Sequence, residues 1–176
     1  MEPWVEHSNI WPTEGQFMSW LRGGIRSGLW KKHPVKLEFL KQNMEQMVNT
    51  NPRSKKRFPY VKAGRCAICK VLHKQTDIEV DHLTGNHSLR LLGDLQGFIE
   101  AMVLVTFSDL QLLCKPCHKI KSHAEKLGIT FQHAAADKTA IELGKFKKDL
   151  AWLRERGIVP ASSWPKRRIQ IVEVLA

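Results

Sequence analysis

Two cysteine pairs, Cys66-x-x-Cys69 and Cys114-x-x-Cys117, share one spacing, and the second runs straight into His118. A two-residue gap lets a tight turn aim both sulfurs at one point, so the two pairs together can complete a tetrahedral zinc site. Read alone, Cys-x-x-Cys-His also fits a haem attachment site or part of a metal-dependent active site. Residues 70–113 separate the pairs, more than the roughly 15–20 residues of a simple zinc ribbon, so a further segment is inserted. A site of four thiolates is closed and leaves no position for substrate. Structural zinc therefore holds the fold, and any reaction must come from the residues it positions.

The insertion supplies such residues in "VDHLTGNH", where Asp81 and His82 are adjacent. The segment "IEVDH" at 78–82 alternates apolar and polar residues and predicts a short strand ending on that pair. "LQLL" at 110–113 is a second strand candidate. "HKIKSHAEKLG" predicts a helix from His118 to a stop at Gly128. An Asp-His pair thus ends one strand, and a histidine follows a zinc cysteine at the start of a helix.

Helices are expected around this core. "TEGQ" at 13–16 has capping-box spacing, with Phe17, Trp20, Leu21 and Ile25 following at helical intervals to an end near Gly23, Gly24 or Gly28. Pro34 suits a first helical position, and Leu37, Leu40, Met44, Met47 and Val48 form one apolar stripe before "NTNP". Asp94 is placed to cap a helix carrying Leu95, Phe98, Ile99, Met102 and Val103. Asp137 is placed to cap another with Leu143, Phe146, Leu150 and Leu153, ending at Gly157. "WPKRRIQIVEVL" closes the chain as a helix. The expected class is α+β, mostly α: an N-terminal helical segment (1–52), a zinc-bound core (53–128) and a C-terminal helical extension (129–176), expected together to make one compact domain.

The 28 Lys and Arg against 17 Asp and Glu give a formal charge of +11, which favours a polyanionic partner, nucleic acid before membrane. From Arg53 to Thr76 the chain carries Arg53, Lys55, Lys56, Arg57, Lys62, Arg65, Lys70 and Lys74 with no acidic residue, and Phe58 and Tyr60 are interleaved. That composition suits a surface tracking phosphates. Lys119, Lys121, Lys166, Arg167 and Arg168 are further candidates for DNA contact. The longest apolar stretch, "AMVLV" at 101–105, is far short of the roughly 18 residues of a membrane span. No signal-peptide pattern opens the sequence, so a reducing cytoplasm is expected, where these cysteines read as metal ligands. Haem attachment, which goes with export, drops out.

The text "CAIC…EVDH…SDLQLLCKPCHKIKS" resembles the HNH, or ββα-metal, nucleases in the subgroup with two zinc-binding Cys-x-x-Cys knuckles. The resemblance covers about residues 64–127. "PTEGQFMSWLRGGIRSGLWKKHP" further looks like HNH proteins of tailed bacteriophages. The resemblance implies a DNA endonuclease with His82 as general base. It also implies that Asp81 and His118 hold one divalent ion, Mg²⁺ or Mn²⁺, against the scissile phosphate, giving 5′-phosphate and 3′-hydroxyl ends. It implies a ββα core, the host cytoplasm for a phage-encoded chain, and phage packaging or replication proteins as partners. Where the family carries an Asn that fixes the loop of the base, this chain has Asp109, which can accept but cannot donate from an amide; Ser108 or Asn86 is a candidate substitute. His87 is a candidate substrate contact, His123 a phosphate contact or a solvated residue, and His73 and His133 surface residues. A zinc-stabilised nucleic-acid-binding module without catalytic activity is the alternative reading.

Overall fold

Thr13 opens the first long helix, its hydroxyl accepting from the Gln16 N–H as the capping pattern requires. A computed structural model describes residues 2–85 and 88–176 of the chain. It is mostly helical with small antiparallel sheets. In order, α1 (Pro3–Glu6), α2 (Glu14–Ile25) and α3 (Pro34–Gln42) precede β1 (Met44–Val48), β2 (Tyr60–Arg65), β3 (Leu72–Lys74) and β4 (Ile78–His82). Then come α4 (Leu95–Val103), β5 (Leu110–Cys114), α5 (Lys115–Leu127), α6 (Phe131–Lys145), α7 (Asp149–Arg154) and α8 (Trp164–Leu175). The chain separates into two compact units, Met1–Lys115 and Pro116–Ala176.

In the first unit Met18, Leu89, Phe98 and Met102 form a buried cluster, joined by Phe17, Leu21, Ile25, Leu95 and Val103. The apolar stripes of α2 and α4 therefore meet each other. Gly23 and Gly24 do not end α2, which runs to Ile25 and continues as a π turn over Arg26–Trp30 that contains Gly28. No glycine there adopts the left-handed conformation that terminates a helix.

The helix expected through Met47 and Val48 is corrected. It stops at Gln42, and Met44–Val48 is a strand paired antiparallel to β2, Met44 opposite Gly64 and Val48 opposite Tyr60. Gly64 explains the outcome: a Cβ there would lie 2.7 Å from Met44 Cε, 3.0 Å from Leu112 Cδ1 and 3.3 Å from Ile78 Cγ2. Its missing side chain makes room for Met44 and lets the sheet β1-β2-β3 press on the pair β4-β5. A long-range ladder thus overrides a local period of 3.6.

β4 and β5 pair antiparallel from Ile78 opposite Cys114 to His82 opposite Leu110, and β5 passes directly into α5. Gly128 (φ 66°) ends α5 and Gly157 (φ 72°) follows α7, both as left-handed stops. In the second unit Ala140, Leu153 and Ile171 are buried together, with Leu143, Trp152 and Trp164 packed around them. The cap of α6 is Thr130, which accepts from the His133 N–H. Asp137, expected to be that cap, is buried mid-helix, and Lys147 (φ 54°) breaks the chain between α6 and α7.

Candidate functional site

Cys66 follows β2 directly. Its N–H donates to Val71 O at 3.0 Å and its carbonyl accepts from Lys70 N at 2.9 Å, which closes the turn around Cys69. Lys70 takes the left-handed conformation (φ 62°) that this turn needs, and Ala67 N–H ties it to Leu112 O of β5 at 2.7 Å. Cys114 ends β5 and Cys117 lies in the first turn of α5. The four sulfurs all lie within 4.8 Å of one another, with Cys69 Sγ 3.9 Å from Cys114 Sγ. A tetrahedron with zinc–sulfur bonds of about 2.3 Å has an edge of about 3.8 Å. The four cysteines can therefore hold a metal ion such as zinc.

Three of these cysteines are buried and Cys69 is exposed. Burial opposes ionisation of Cys66, but hydrogen bonds from the backbones of Cys114, Cys69 and Ile68, and from the Cys69 side chain, outweigh it and bring the thiol down to about 6. A preformed preference for thiolate is what a metal ligand needs. His73 belongs to this site as well. It pairs with Gly64 in β2–β3, and its Nε2 lies 3.5 Å from Cys69 Sγ. Its role was not legible from spacing, because the strand register alone carries it there.

Asp81 and His82 end β4 at half-buried positions. Gln111, opposite Asp81 on β5, donates from Nε2 to Asp81 Oδ2 at 3.4 Å and to His82 O at 3.2 Å. The His82 ring stacks on Trp30 with centroids 4.3 Å apart and planes 26° from parallel. Trp30 comes from the end of the π turn, a residue that no motif singled out. Lys36, in the first turn of α3, sets its ammonium 4.9 Å from the Trp30 ring centroid. Burial lowers the Lys36 pKa, Glu79 opposes this and Lys31 adds to it.

Asp109 closes a 3₁₀ turn, its carboxylate accepting from both the N–H and the hydroxyl of Thr106 at 2.7 Å. Those two bonds, Thr106 hydroxyl first, hold its pKa below the usual carboxylate range despite an opposing desolvation, and the nearby His82 adds a smaller lowering. Its backbone carbonyl accepts from Leu83 N–H at 2.8 Å, one residue past His82. Asp109 thus steadies both its own turn and the end of β4 by accepting alone, and Ser108 joins through a 2.7 Å contact with Thr106 Oγ1. Asn86 and His87 lie outside the described residues.

His118 is half-buried in α5 directly after Cys117. His123, expected near phosphate or solvent, is instead largely covered, its Nε2 2.7 Å from Asp137 Oδ2. His133 is exposed, as expected of a surface residue.

The candidate DNA contacts divide by what already engages them. Arg53, Lys55, Lys56, Arg57, Lys62, Lys119 and Lys166 are exposed. Arg65 is paired with Glu45 at 3.4 Å, and Lys121 with Glu125 at 2.5 Å. Arg167 donates to Asp149 Oδ2 at 2.6 Å and to the carbonyls of Ala161 and Ser162. Arg168 grips both oxygens of Asp137 at 2.5 Å. The two arginines of "PKRR" are thus held by buried carboxylates. Among the described residues no helix is long and apolar enough to cross a membrane.

Comparison with protein-family models, with curated proteins and with solved structures finds no match.

Proposed function

We propose that the chain is a metal-dependent DNA endonuclease of the HNH kind, hydrolysing phosphodiester bonds, with zinc on the four cysteines as a structural ion. The observation that carries this reading is the order of parts: an antiparallel pair whose first strand ends in Asp81-His82 and whose second enters a helix headed by Cys117-His118. A module that only bound DNA would have no reason to carry Asp81, His82 and His118 together at this spacing.

In this mechanism the His82 imidazole takes the proton of the attacking water, the general-base task for which imidazole is the most common side chain. Trp30 fixes the plane of the ring and limits its rotation. Gln111 orients the Asp81 carboxylate and, through the His82 carbonyl, the strand end itself. Asp109 holds the following residue by its backbone. Asp81 and His118 are the residues that would hold a divalent ion such as Mg²⁺ or Mn²⁺. When bound, that ion neutralises charge on the scissile phosphate and on the leaving 3′-oxygen. The products would carry 5′-phosphate and 3′-hydroxyl ends. Exposed Lys and Arg side chains of the chain's +11 surface position the polymer through its phosphates, without reading sequence.

Supercoiled plasmid incubated with zinc-loaded protein should be nicked or linearised only when a divalent ion is added. His82→Ala should abolish cleavage and leave binding within about twofold. Equal cleavage by His82→Ala and wild type would refute the mechanism. Tight binding without cleavage under any divalent ion would leave the binding module as the function.

A further inference from the structure

The loop joining β1 to β2 is built more firmly than a solvated connection requires. Asn49, only 5 % exposed, donates from Nδ2 to Ser54 Oγ (3.1 Å) and Phe58 O (2.8 Å), and its Oδ1 accepts from Asn51 N (3.0 Å). Asn51 repeats the device, accepting Arg53 N–H on Oδ1 and Lys55 N–H on its carbonyl. One buried amide thus fixes both ends of a turn that presents Arg53, Lys55, Lys56 and Arg57 to solvent.

Two aromatic rings stand at the foot of this turn. Phe58 is 53 % exposed and Tyr60 58 % exposed, whereas rings of this size are ordinarily covered. The Arg57 guanidinium lies 5.2 Å from the Phe58 ring centroid, which keeps a cation beside the ring. Tyr60 borders a concavity of about 380 Å³ whose other walls include Lys62, Lys74, Gln75 and Thr76. From Arg53 to Thr76 no acidic residue interrupts the field.

Duplex DNA would use only the cations of this surface, because its base faces are hidden in the stack. Exposed aromatic faces flanked by lysines match a strand whose bases are unpaired, since every unpaired base offers a π-face and a flanking phosphate. We infer that the β1–β2 loop with Tyr60 and Phe58 is a binding site for single-stranded DNA, with a base stacked on Tyr60 and the adjoining phosphates at Lys62 and Lys74. Substrates with an unpaired stretch, such as flaps, gaps or branches, would then be preferred to plain duplex. Because the loop is already ordered, little of the stacking free energy is spent on arranging it. The inference rests on the DNA reading above for the identity of the polymer, but not on cleavage.

The test uses the full zinc-loaded chain carrying His82→Ala, without added divalent ion, and fluorescence anisotropy with a thymidine oligomer of about 20 nucleotides, enough to fill one such site. A duplex of equal length and an RNA of equal length are the comparisons. Single-stranded DNA should bind more tightly than duplex. Tyr60→Ala should weaken it about 5- to 100-fold, as loss of one stacked base does, while duplex binding changes less than about twofold. Tyr60→Leu, which keeps apolar bulk without the π-face, should behave like Tyr60→Ala, and the exposure of Tyr60 means neither variant should lose its fold. A 2-aminopurine in the strand should be quenched by wild type and not by Tyr60→Ala.

Equal affinity for single strand and duplex, unchanged affinity in Tyr60→Ala, or tighter binding of RNA would each overturn the inference. If the His82→Ala chain binds duplex and the wild-type chain with added divalent ion cleaves it normally alongside such a result, the nuclease reading survives it. If no DNA is bound at all, both fall.

Discussion

Replacing Asp137 by Asn tests whether the basic C-terminal helix is committed to the fold or to a ligand. Asp137 is 7 % exposed and accepts two bonds from Arg168 at 2.5 Å and shares a 2.7 Å contact with His123. Breaking a buried ion pair by removing one charge costs about 3–5 kcal/mol. Arg168, however, keeps 38 % of its side chain in solvent and can rehydrate. The isosteric Asn also retains one acceptor, so about 2–3 kcal/mol is expected at pH 7. The pH dependence has a definite sign. The Arg168 hydrogen bonds hold the Asp137 carboxyl below its usual range, against desolvation and with help from His123. Its contribution is therefore present above the unfolded value of about 3.9 and lost as pH falls from there through the lower folded value. Urea denaturation followed by helical circular dichroism at pH 7 and near pH 3 should show a gap between wild type and Asp137→Asn that narrows in acid. A gap below about 0.5 kcal/mol at pH 7, or one of equal size at both pH values, would refute this account.

Other outcomes follow from the same geometry. Cys66→Ser should release bound metal and unfold the region, because metal binding and folding are coupled. Metal-free protein should take up zinc less readily in acid, because a thiol must be deprotonated to bind it and Cys66, favoured as thiolate down to about 6 in the metal-free fold, is protonated below that. Zinc content measured after dialysis at pH 7 and pH 5 checks both. If the chain cleaves DNA as proposed above, Trp30→Phe should keep the fold and most of that cleavage. Trp30→Ala should lower kcat about 2- to 12-fold, the worth of one aromatic stack, with KM little changed. A fall in KM-controlled binding with unchanged kcat would remove Trp30 from the positioning of His82.

Much of the site was legible as text because its parts are local. A Cys-x-x-Cys turn needs only its own backbone, and the strand 78–82 and the helix ending at Gly128 announce themselves within one segment. The misplaced elements were those whose local pattern suits one structure while a distant segment selects another. Met44, Met47 and Val48 repeat like a helix and pair as a strand, because Gly64 leaves space for Met44. Asp137 looks like a cap, but Arg168 and His123 draw it into the interior of the second unit. A buried carboxylate goes where its partners are, and those lie 31 and 14 residues away in sequence.

By itself the sequence determined the kinds of atoms present: four thiols in two turns, an Asp-His pair closing a strand, a histidine behind the second Cys-x-x-Cys pair, and an uninterrupted basic run. Only the tertiary structure decided which of them meet. It brought four sulfurs within 4.8 Å, laid Trp30 on His82, and spent Arg167 and Arg168 on internal carboxylates while leaving Tyr60 bare. The reason is range. Turn chemistry and periodicity act over a few residues, whereas contact between side chains is set by register and packing between segments far apart in the chain.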